Sequence, residues 1–311
     1  MALGRALVTG ATGLIGRNLV ARLEAMGADV VGVGSEHDLR DASVANDLLR
    51  KVRPTVVYHL AARVGGIYAN STQKSGFYLD NTLINTHLVE AAAGVGVEYV
   101  FAMGTGCAYP KRLEGEVLYE ETYLDGIPEP TNDAYAYAKR GMLVHLAALR
   151  DEAALDFCFC IPANIYGAHD NFHPKHSHVV PALVRRFVEA TDDGLPTVAI
   201  WGGGSAKRDF LYIQDCIDAM ILIAEARFSG PVNIGTGKLT TIRELAETIG
   251  SVSGFPGQIV YDTSMPEGQS ERVFAFDKIH GLGWEPRTQL RDGLAETTSW
   301  FRDNRSAVRE R

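Results

Sequence analysis

Along the first half of the chain, short apolar runs alternate with longer stretches in which apolar residues recur every three or four positions. The runs Arg5–Thr9, Asp29–Val33, Thr55–Leu60, Tyr99–Met103 and Asp156–Ile161 are rich in Val, Leu, Phe and Tyr and predict buried strands. Between them, Leu14, Ile15, Leu19, Val20, Leu23 and Met26 predict a helix ended by Gly27, Asn81 to Ala93 a second, and Ala134 to Ala154 a third. Strands and helices in alternation imply an α/β, doubly wound parallel sheet with right-handed crossovers, whose ligands bind beyond the carboxyl ends of the strands. The second half predicts a helix over Val179–Glu189, a strand over Thr197–Trp201, a strand and helix over Phe210–Ala226 and a strand over Val232–Gly235. A helix, a strand over Gln258–Tyr261, a loop and two helices follow, the last over Gln289–Phe301. No repeat or low-complexity segment appears, so we expect interleaved domains. Residues 1–165 plus 207–235 would form a dinucleotide-binding domain, and 166–206 plus 236–311 a smaller α/β substrate domain.

The composition narrows the partners. The 311 residues are 46% hydrophobic and 22% charged, with a formal net charge of -8 and no long Lys/Arg run. Nucleic acid and membrane surfaces are therefore not expected as partners, while a small anionic ligand stays open. The first residues run directly into an apolar strand without a signal-peptide pattern, and no run approaches the roughly 20 apolar residues of a membrane span. Cys107, Cys158, Cys160 and Cys216 are too few for a disulfide scaffold, and a cytoplasmic location is expected.

The chemistry begins at Gly10-Ala-Thr12-Gly13-Leu14-Ile15-Gly16, placed between a strand and a helix. Glycines there let the backbone approach a diphosphate, and helix N-terminal amides receive its charge. The second strand ends in Gly34-Ser35-Glu36-His37, which matches neither a plain acidic reader of a ribose 2′-hydroxyl nor a basic reader of a 2′-phosphate. Asp41 meets the adenine or caps the next helix. Leu60, Ala61 and Ala62 end the third strand and leave room for a cofactor across the strand ends.

Tyr135 and Lys139 stand one helical turn apart on one face, where an ammonium is expected to lower the phenol's pKa. Thr105, delivered to the same edge by the strand at Tyr99–Met103, offers a hydroxyl to a substrate carbonyl. His169, His173, His176 and His178 crowd one polar segment without metal-ligand spacing, so no metal is expected there and a substrate loop is. Arg208, after the turn Gly202-Gly-Gly204, suits a diphosphate or a surface ion pair.

Together Gly104-Thr-Gly-Cys107-Ala-Tyr-Pro110, Glu129-Pro-Thr-Asn-Asp-Ala-Tyr135, Tyr166-Gly-Ala-His-Asp-Asn-Phe-His-Pro174 and His178-Val-Val-Pro-Ala-Leu-Val-Arg-Arg186 resemble the GDP-L-fucose synthase family. That family belongs to the extended short-chain dehydrogenases/reductases, which have a Rossmann fold. The resemblance implies inversion at C3 and C5 and hydride reduction at C4 of a nucleotide 4-keto-6-deoxyhexose. Its implied roles are Tyr135 as the reducing-step acid supported by Lys139 and Thr105, Cys107 as the base and His178 as the acid of inversion. It adds Pro162, Asn164, Ile165 and His178 to the cofactor site, and assigns substrate binding to Asn164, Arg186, Trp201, Arg208 and Arg272. It also implies NADP(H) and a homodimer formed through 81–93 and 134–154.

Two departures from the family bear on specificity. Its basic residues around the 2′-phosphate are replaced by Ala11-Thr12 and Gly34-Ser35, which opens NAD(H) as the cofactor. Near the nucleotide loop, Met265 and Glu271 replace basic residues while Arg272 is kept. The alternative reading is another nucleotide-sugar epimerase or 4-ketoreductase with tightly held NAD. A dehydratase of this branch would carry carboxylates after Thr105, where Gly106 and Cys107 stand, and a non-catalytic sensor would not need Thr105, Tyr135 and Lys139 together.

Overall fold

The computed structural model describes residues 4–111, 115–174, 177–264, 270–306 and 308. The chain runs β1 (Arg5–Thr9), α1 (Leu14–Ala25), β2 (Asp29–Val33), α2 (Ala42–Val52), β3 (Val56–His59), α3 (Ile67–Thr72), α4 (Lys74–Gly94), β4 (Tyr99–Met103), β5 (Val117–Leu118), α5 (Asp133–Ala153) and β6 (Asp156–Pro162). It continues through β7 (Asn164–Tyr166), α6 (Val179–Asp192), β8 (Thr197–Trp201), β9 (Lys207–Tyr212), α7 (Ile213–Glu225), β10 (Gly230–Ile234) and β11 (Leu239–Thr241). The last elements are α8 (Ile242–Val252), β12 (Gln258–Asp262), β13 (Val273–Phe274), α9 (Asp277–Gly281) and α10 (Leu290–Asn304).

A six-stranded, all-parallel sheet in the order β10-β6-β4-β3-β1-β2 organises the molecule. Successive side chains of a strand point to opposite faces, and here both faces are dry. Leu7, Val57, Val100, Phe157 and Phe159 enter one core with Leu48 and Leu49 of α2, Leu88 and Val89 of α4, and Leu143 and Leu146 of α5. Ala6, Val8, Tyr58, Phe101, Cys158 and Cys160 enter the other, with Leu19 and Leu23 of α1 and Ile217 and Met220 of α7. This two-sided burial is why the strands read as unbroken apolar runs. The chain leaves β1 toward β2 on one side, while β3 lies on the other, so the sheet's switch point lies between β1 and β3.

Smaller sheets sit beyond the carboxyl ends. β9 pairs with β11 and β7, β12 with β8, and β13 with β5. The stretch 207–235 is thereby divided. β10 is an edge strand of the large sheet, and α7 meets α1 through Gln214–Asn18 and Arg22–Asp218 contacts, whereas β9 belongs to the three-stranded sheet. The helix expected over 81–93 begins at Lys74: Phe77 is buried while Tyr78 and Leu79 beside it are exposed, so the apolar positions there run consecutively and show no helical period.

Asn233 of β10 joins these layers. Its side-chain amide donates to the carbonyls of Leu118 and Ala275 at 3.0 Å each, its Oδ1 accepts from the Tyr109 hydroxyl at 2.7 Å, and its backbone amide donates to Glu120 at 2.8 Å. Removing the side chain leaves buried groups unpaired, each costing about 1–3 kcal/mol. We expect Asn233→Ala to lower the unfolding free energy by about 2–4 kcal/mol, measured by urea denaturation.

Candidate active site

The glycine turn after β1 is built for close approach. Gly10 has φ 70°, and a Cβ there would lie 2.8 Å from the amide nitrogen of Ala61. A Cβ on Gly16 would lie 2.2 Å from the carbonyl oxygen of Gly10, and Gly13 donates to that same carbonyl at 3.0 Å. Gly13 is the N-cap of α1 without a side-chain cap, and no acidic residue stands in the first turn. Its amides are thus available to an anion, and the turn with Thr12, Leu14 and Ile15 fits a dinucleotide diphosphate. At the end of β2, Glu36 Oε1 accepts from the Gly34 amide at 2.6 Å. That hydrogen bond holds the exposed carboxyl below its ordinary pKa. A side chain on Gly34 would strike Thr12 and Glu36 alike, so these two meet where the ribose of such a cofactor is read. Asp41 serves as N-cap of α2, accepting from Ser43 at 2.8 Å, and its reading of adenine remains a proposal.

A chain of buried hydrogen bonds locks the strand ends to α5. The Thr9 hydroxyl accepts from the amides of Leu60 and Ala61 at 3.2 Å each and lies 3.0 Å from His59 Nδ1. His59 Nε2 lies 3.0 Å from Asn85 Oδ1, and Asn85 donates to the Ala138 carbonyl at 3.3 Å. With its amide hydrogens turned to Ala138, Asn85 accepts from Nε2–H, which leaves Nδ1 to accept from Thr9. Burial, together with the charge of Lys139, pushes His59 down to about 3, so the imidazole stays neutral.

Lys139 is 1% exposed, and its ammonium donates to the Met103 carbonyl at 2.8 Å. Its Nζ lies 6.0 Å from the Tyr135 ring centroid, and Phe77 meets that ring edge-on at 6.4 Å. The expected lowering of the Tyr135 pKa by Lys139 is not what the structure holds. Burial, then the charge of Cys107, pushes the phenol above its ordinary value, while burial pushes Lys139 down to about 7. A half-neutral amine turned to a carbonyl exerts little pull on a phenol.

Thr105 and Cys107 share one turn of 3-10 helix at Gly106–Ala108, which Thr105 caps by accepting from the Cys107 amide at 3.3 Å. The Tyr123 hydroxyl donates to the Thr105 carbonyl at 3.1 Å. Arg272 Nη1 donates to Cys107 Sγ at 3.4 Å. Burial pushes the thiol up, but Arg272 and hydrogen bonds from Thr105 and Asn132 outweigh it, and the net shift is downward. Cys158, Cys160 and Cys216 are buried and pushed upward. Arg208 donates to the Lys207 carbonyl at 2.6 Å and is held down by burial, then by Arg272, with Cys107 acting the other way, so its charge interacts with both. Neighbouring Asp209 is occupied by Thr236 and Gly237, and among the described residues no carboxylate pairs with Arg208. The surface ion-pair reading of Arg208 therefore does not apply there.

The remaining residues spread around this centre. Pro162 ends β6 with its carbonyl 3.4 Å from the position of a Cβ on Gly106, and Asn164 and Ile165 open β7, with Asn164 exposed. His178 is the N-cap of α6, exposed as a residue but with nearby protein partly desolvating its ring and shifting it downward, and among the described residues no hydrogen bond ties that ring to Cys107 or Tyr135. Ser177 before it faces Gly66 of the loop that follows β3 and Ala62. Arg186 donates to the Ala199 carbonyl of β8, at whose end Trp201 is 65% exposed, so these two share one face apart from the cysteine cluster. His176 and Met265 lie outside the described residues. Sequence reading overlooked Asn132, His59 and Asn85. A histidine inside an apolar strand is their available signal, because a buried imidazole demands polar partners from neighbouring elements.

Comparison with known proteins gives the family. Residues 6–235 match the model described as the NAD dependent epimerase/dehydratase family. The chain is 39% identical over 306 residues to "Probable GDP-L-fucose synthase 1" of Oryza sativa subsp. japonica, covering 97% of this chain and 93% of that protein. It is 36% identical over 317 residues to GDP-L-fucose synthase of Escherichia coli (strain K12), covering 98% of each. The crystal structure of a GDP-L-fucose synthetase from Naegleria fowleri bound to NADP superposes with TM-score 0.89 at 30% identity, covering 99% of this chain and 96% of that one.

Lys139 yields a stability prediction. Its folded pKa of about 7 lies below the unfolded value of about 10.4, so unfolding takes up a proton between those limits. Stability of the parent therefore rises with pH across that window. We expect Lys139→Met to gain on the parent as pH falls from 10 toward 7, by on the order of 1–3 kcal/mol, with no further gain below 7. Thermal melts across that range, with cofactor absent, check the slope.

Proposed function

The chain belongs to the NAD dependent epimerase/dehydratase family, and on that premise we propose that it converts GDP-4-keto-6-deoxy-D-mannose to GDP-L-fucose. It is an NAD(P)-dependent nucleotide-sugar epimerase/reductase whose cofactor is NADP(H) by family, with NAD(H) open at the ribose site. The observation that carries the reading is the meeting of a lowered cysteine thiol with the Thr105 hydroxyl and the Tyr135 phenol under two guanidiniums. Such a cluster combines carbon-acid chemistry with carbonyl reduction.

A hydrogen beside the C4 ketone is acidic because the enolate spreads charge onto oxygen, which hydroxyls at Thr105 and Tyr135 can stabilise. Cys107 takes that proton from one face as a thiolate, and His178, in its imidazolium form, returns one to the other face. When bound, the nicotinamide supplies hydride to C4. Tyr135 then gives its proton to the C4 oxygen, a role suited to a phenol that burial keeps protonated. Gly10, Gly13 and the α1 amides hold the dinucleotide diphosphate, with Leu60, Ala61, Ala62, Pro162, Asn164 and Ile165 along its length. Arg208 and Arg272 suit the sugar-nucleotide diphosphate, and Arg186 with Trp201 suits its base.

We further infer a homodimer through α4 and α5. Those helices pack side by side and present exposed Tyr78, Leu79, Tyr137 and Val144. The four cysteines are free, which supports a reducing, cytoplasmic setting, and among the described residues no helix is long and apolar enough to cross a membrane. A second reading, an epimerase or 4-ketoreductase with tightly held NAD, is favoured by Glu36 at the ribose position and by Ala11-Thr12 and Gly34-Ser35 in place of basic residues.

Turnover in deuterium oxide with GDP-4-keto-6-deoxy-D-mannose and NADPH or NADH separates the readings. The parent is expected to oxidise one cofactor per sugar and to place deuterium at C3 and C5. Tyr135→Phe should lose reduction by about 10²–10⁴-fold while exchange persists, and Cys107→Ser should lose exchange. Sugar isomers formed without cofactor oxidation would replace the first reading with the second.

A further inference from the structure

Arg272 sits where two unrelated pieces of the fold converge. The strand that follows it, β13, pairs in parallel with β5 through Val273↔Val117 and Phe274↔Leu118. On the preceding side, the Ser270 carbonyl accepts from the Lys207 amide at 2.7 Å, tying the segment to the start of β9. Phe274 then lies against the catalytic turn so closely that a Cβ on Gly106 would meet its ring at 2.8 Å. The guanidinium two residues before that ring is thereby carried over Cys107, and its Nη1 donates to Sγ at 3.4 Å. The backbone on either side of Arg272 is held by Ser270 at β9 and by Val273 and Phe274 at β5, and its side chain spans the remaining distance to the sulfur.

From this arrangement we propose that Arg272 is a positioning residue that stores Cys107 as a thiolate in the free enzyme, beyond any contact it makes with the substrate diphosphate. The proposal rests on the assignment of Cys107 as the inverting base. The other groups around the sulfur divide in two. Arg208 adds a second positive charge, and Thr105 and Asn132 contribute hydrogen bonds. Tyr135 and Tyr123 are raised phenols that remain neutral beside it. Glu271, the nearest carboxylate in sequence, faces Lys207 at 3.6 Å. The sulfur therefore sees cations and neutral donors, the surroundings that favour the ionised form. A thiolate kept ready shortens catalysis by one proton transfer, since the base need not first lose its own hydrogen to solvent.

The test uses the full chain without substrate. Iodoacetamide labelling of Cys107, followed by peptide mass against pH, reads the thiolate fraction directly, because the other three cysteines are buried. The parent should label with a midpoint well below the free-thiol value of about 8.5. Arg272→Met should move that midpoint up by about one pH unit, about tenfold slower labelling at pH 7, and Arg272→Lys should restore most of the shift. A parent midpoint at or above 8.5, or an unchanged midpoint in a folded Arg272→Met protein, overturns the proposal. Should Arg272→Met fail to fold, the parent midpoint and the Arg272→Lys titration decide it. The pH profile of C3 and C5 deuterium exchange reports on the reaction separately. A low labelling midpoint without exchange leaves the thiolate intact and removes the epimerase reading instead.

Discussion

One threonine hydroxyl holds the site's geometry. Thr9 receives the amides of Leu60 and Ala61 and engages His59, which reaches Asn85 and through it the backbone of α5 at Ala138. The strand ends that would cradle the cofactor and the helix that carries Tyr135 and Lys139 are thus joined by side chains with no contact with water. A fully satisfied polar network of this kind specifies one arrangement of the core, because any shift leaves a buried donor or acceptor unpaired. Gly10 enforces the same closeness from the backbone side, since a Cβ there would collide with Ala61.

Desolvation, more than pairing, sets the protonation states around that frame. Burial leads the shift of His59, Lys139, Tyr135 and His178, always toward the neutral form. Cys107 is the exception, because the charge and hydrogen bond of Arg272, with hydrogen bonds from Thr105 and Asn132, together outweigh burial. Two groups of one cluster are thus shifted in opposite directions, the Tyr135 phenol upward by burial and the Cys107 thiol downward by the guanidinium and donors around it.

The sequence made the large sheet legible because strands buried on both faces are apolar throughout, and the helices between them are amphipathic or begin at a glycine turn. The same pattern failed at Lys74 to Asp80, where Phe77, Tyr78 and Leu79 are consecutive apolar positions and show no helical period. It was silent for β5, β7 and β13, which are too short to have a period. Within the site, Thr105, Tyr135 and Lys139 could be named from their order along strand and helix, and Cys107 from the family resemblance. Their electrostatics could not, since the direction of each shift depends on contacts made across long sequence separations. Arg272 over Cys107 is the clearest case: 165 positions separate the two.

The paired guanidiniums of Arg208 and Arg272 lie in a protein with a net charge of -8. At long range an anionic sugar nucleotide meets a repulsive field, and attraction takes over only inside the cavity. Dissolved ions screen the far field within a Debye length of about 8 Å under physiological conditions and touch the enclosed charges less. Ionic strength should therefore speed encounter here, where a uniformly basic surface would be slowed by it. Selection of a dianion is left to the last few ångströms of the approach.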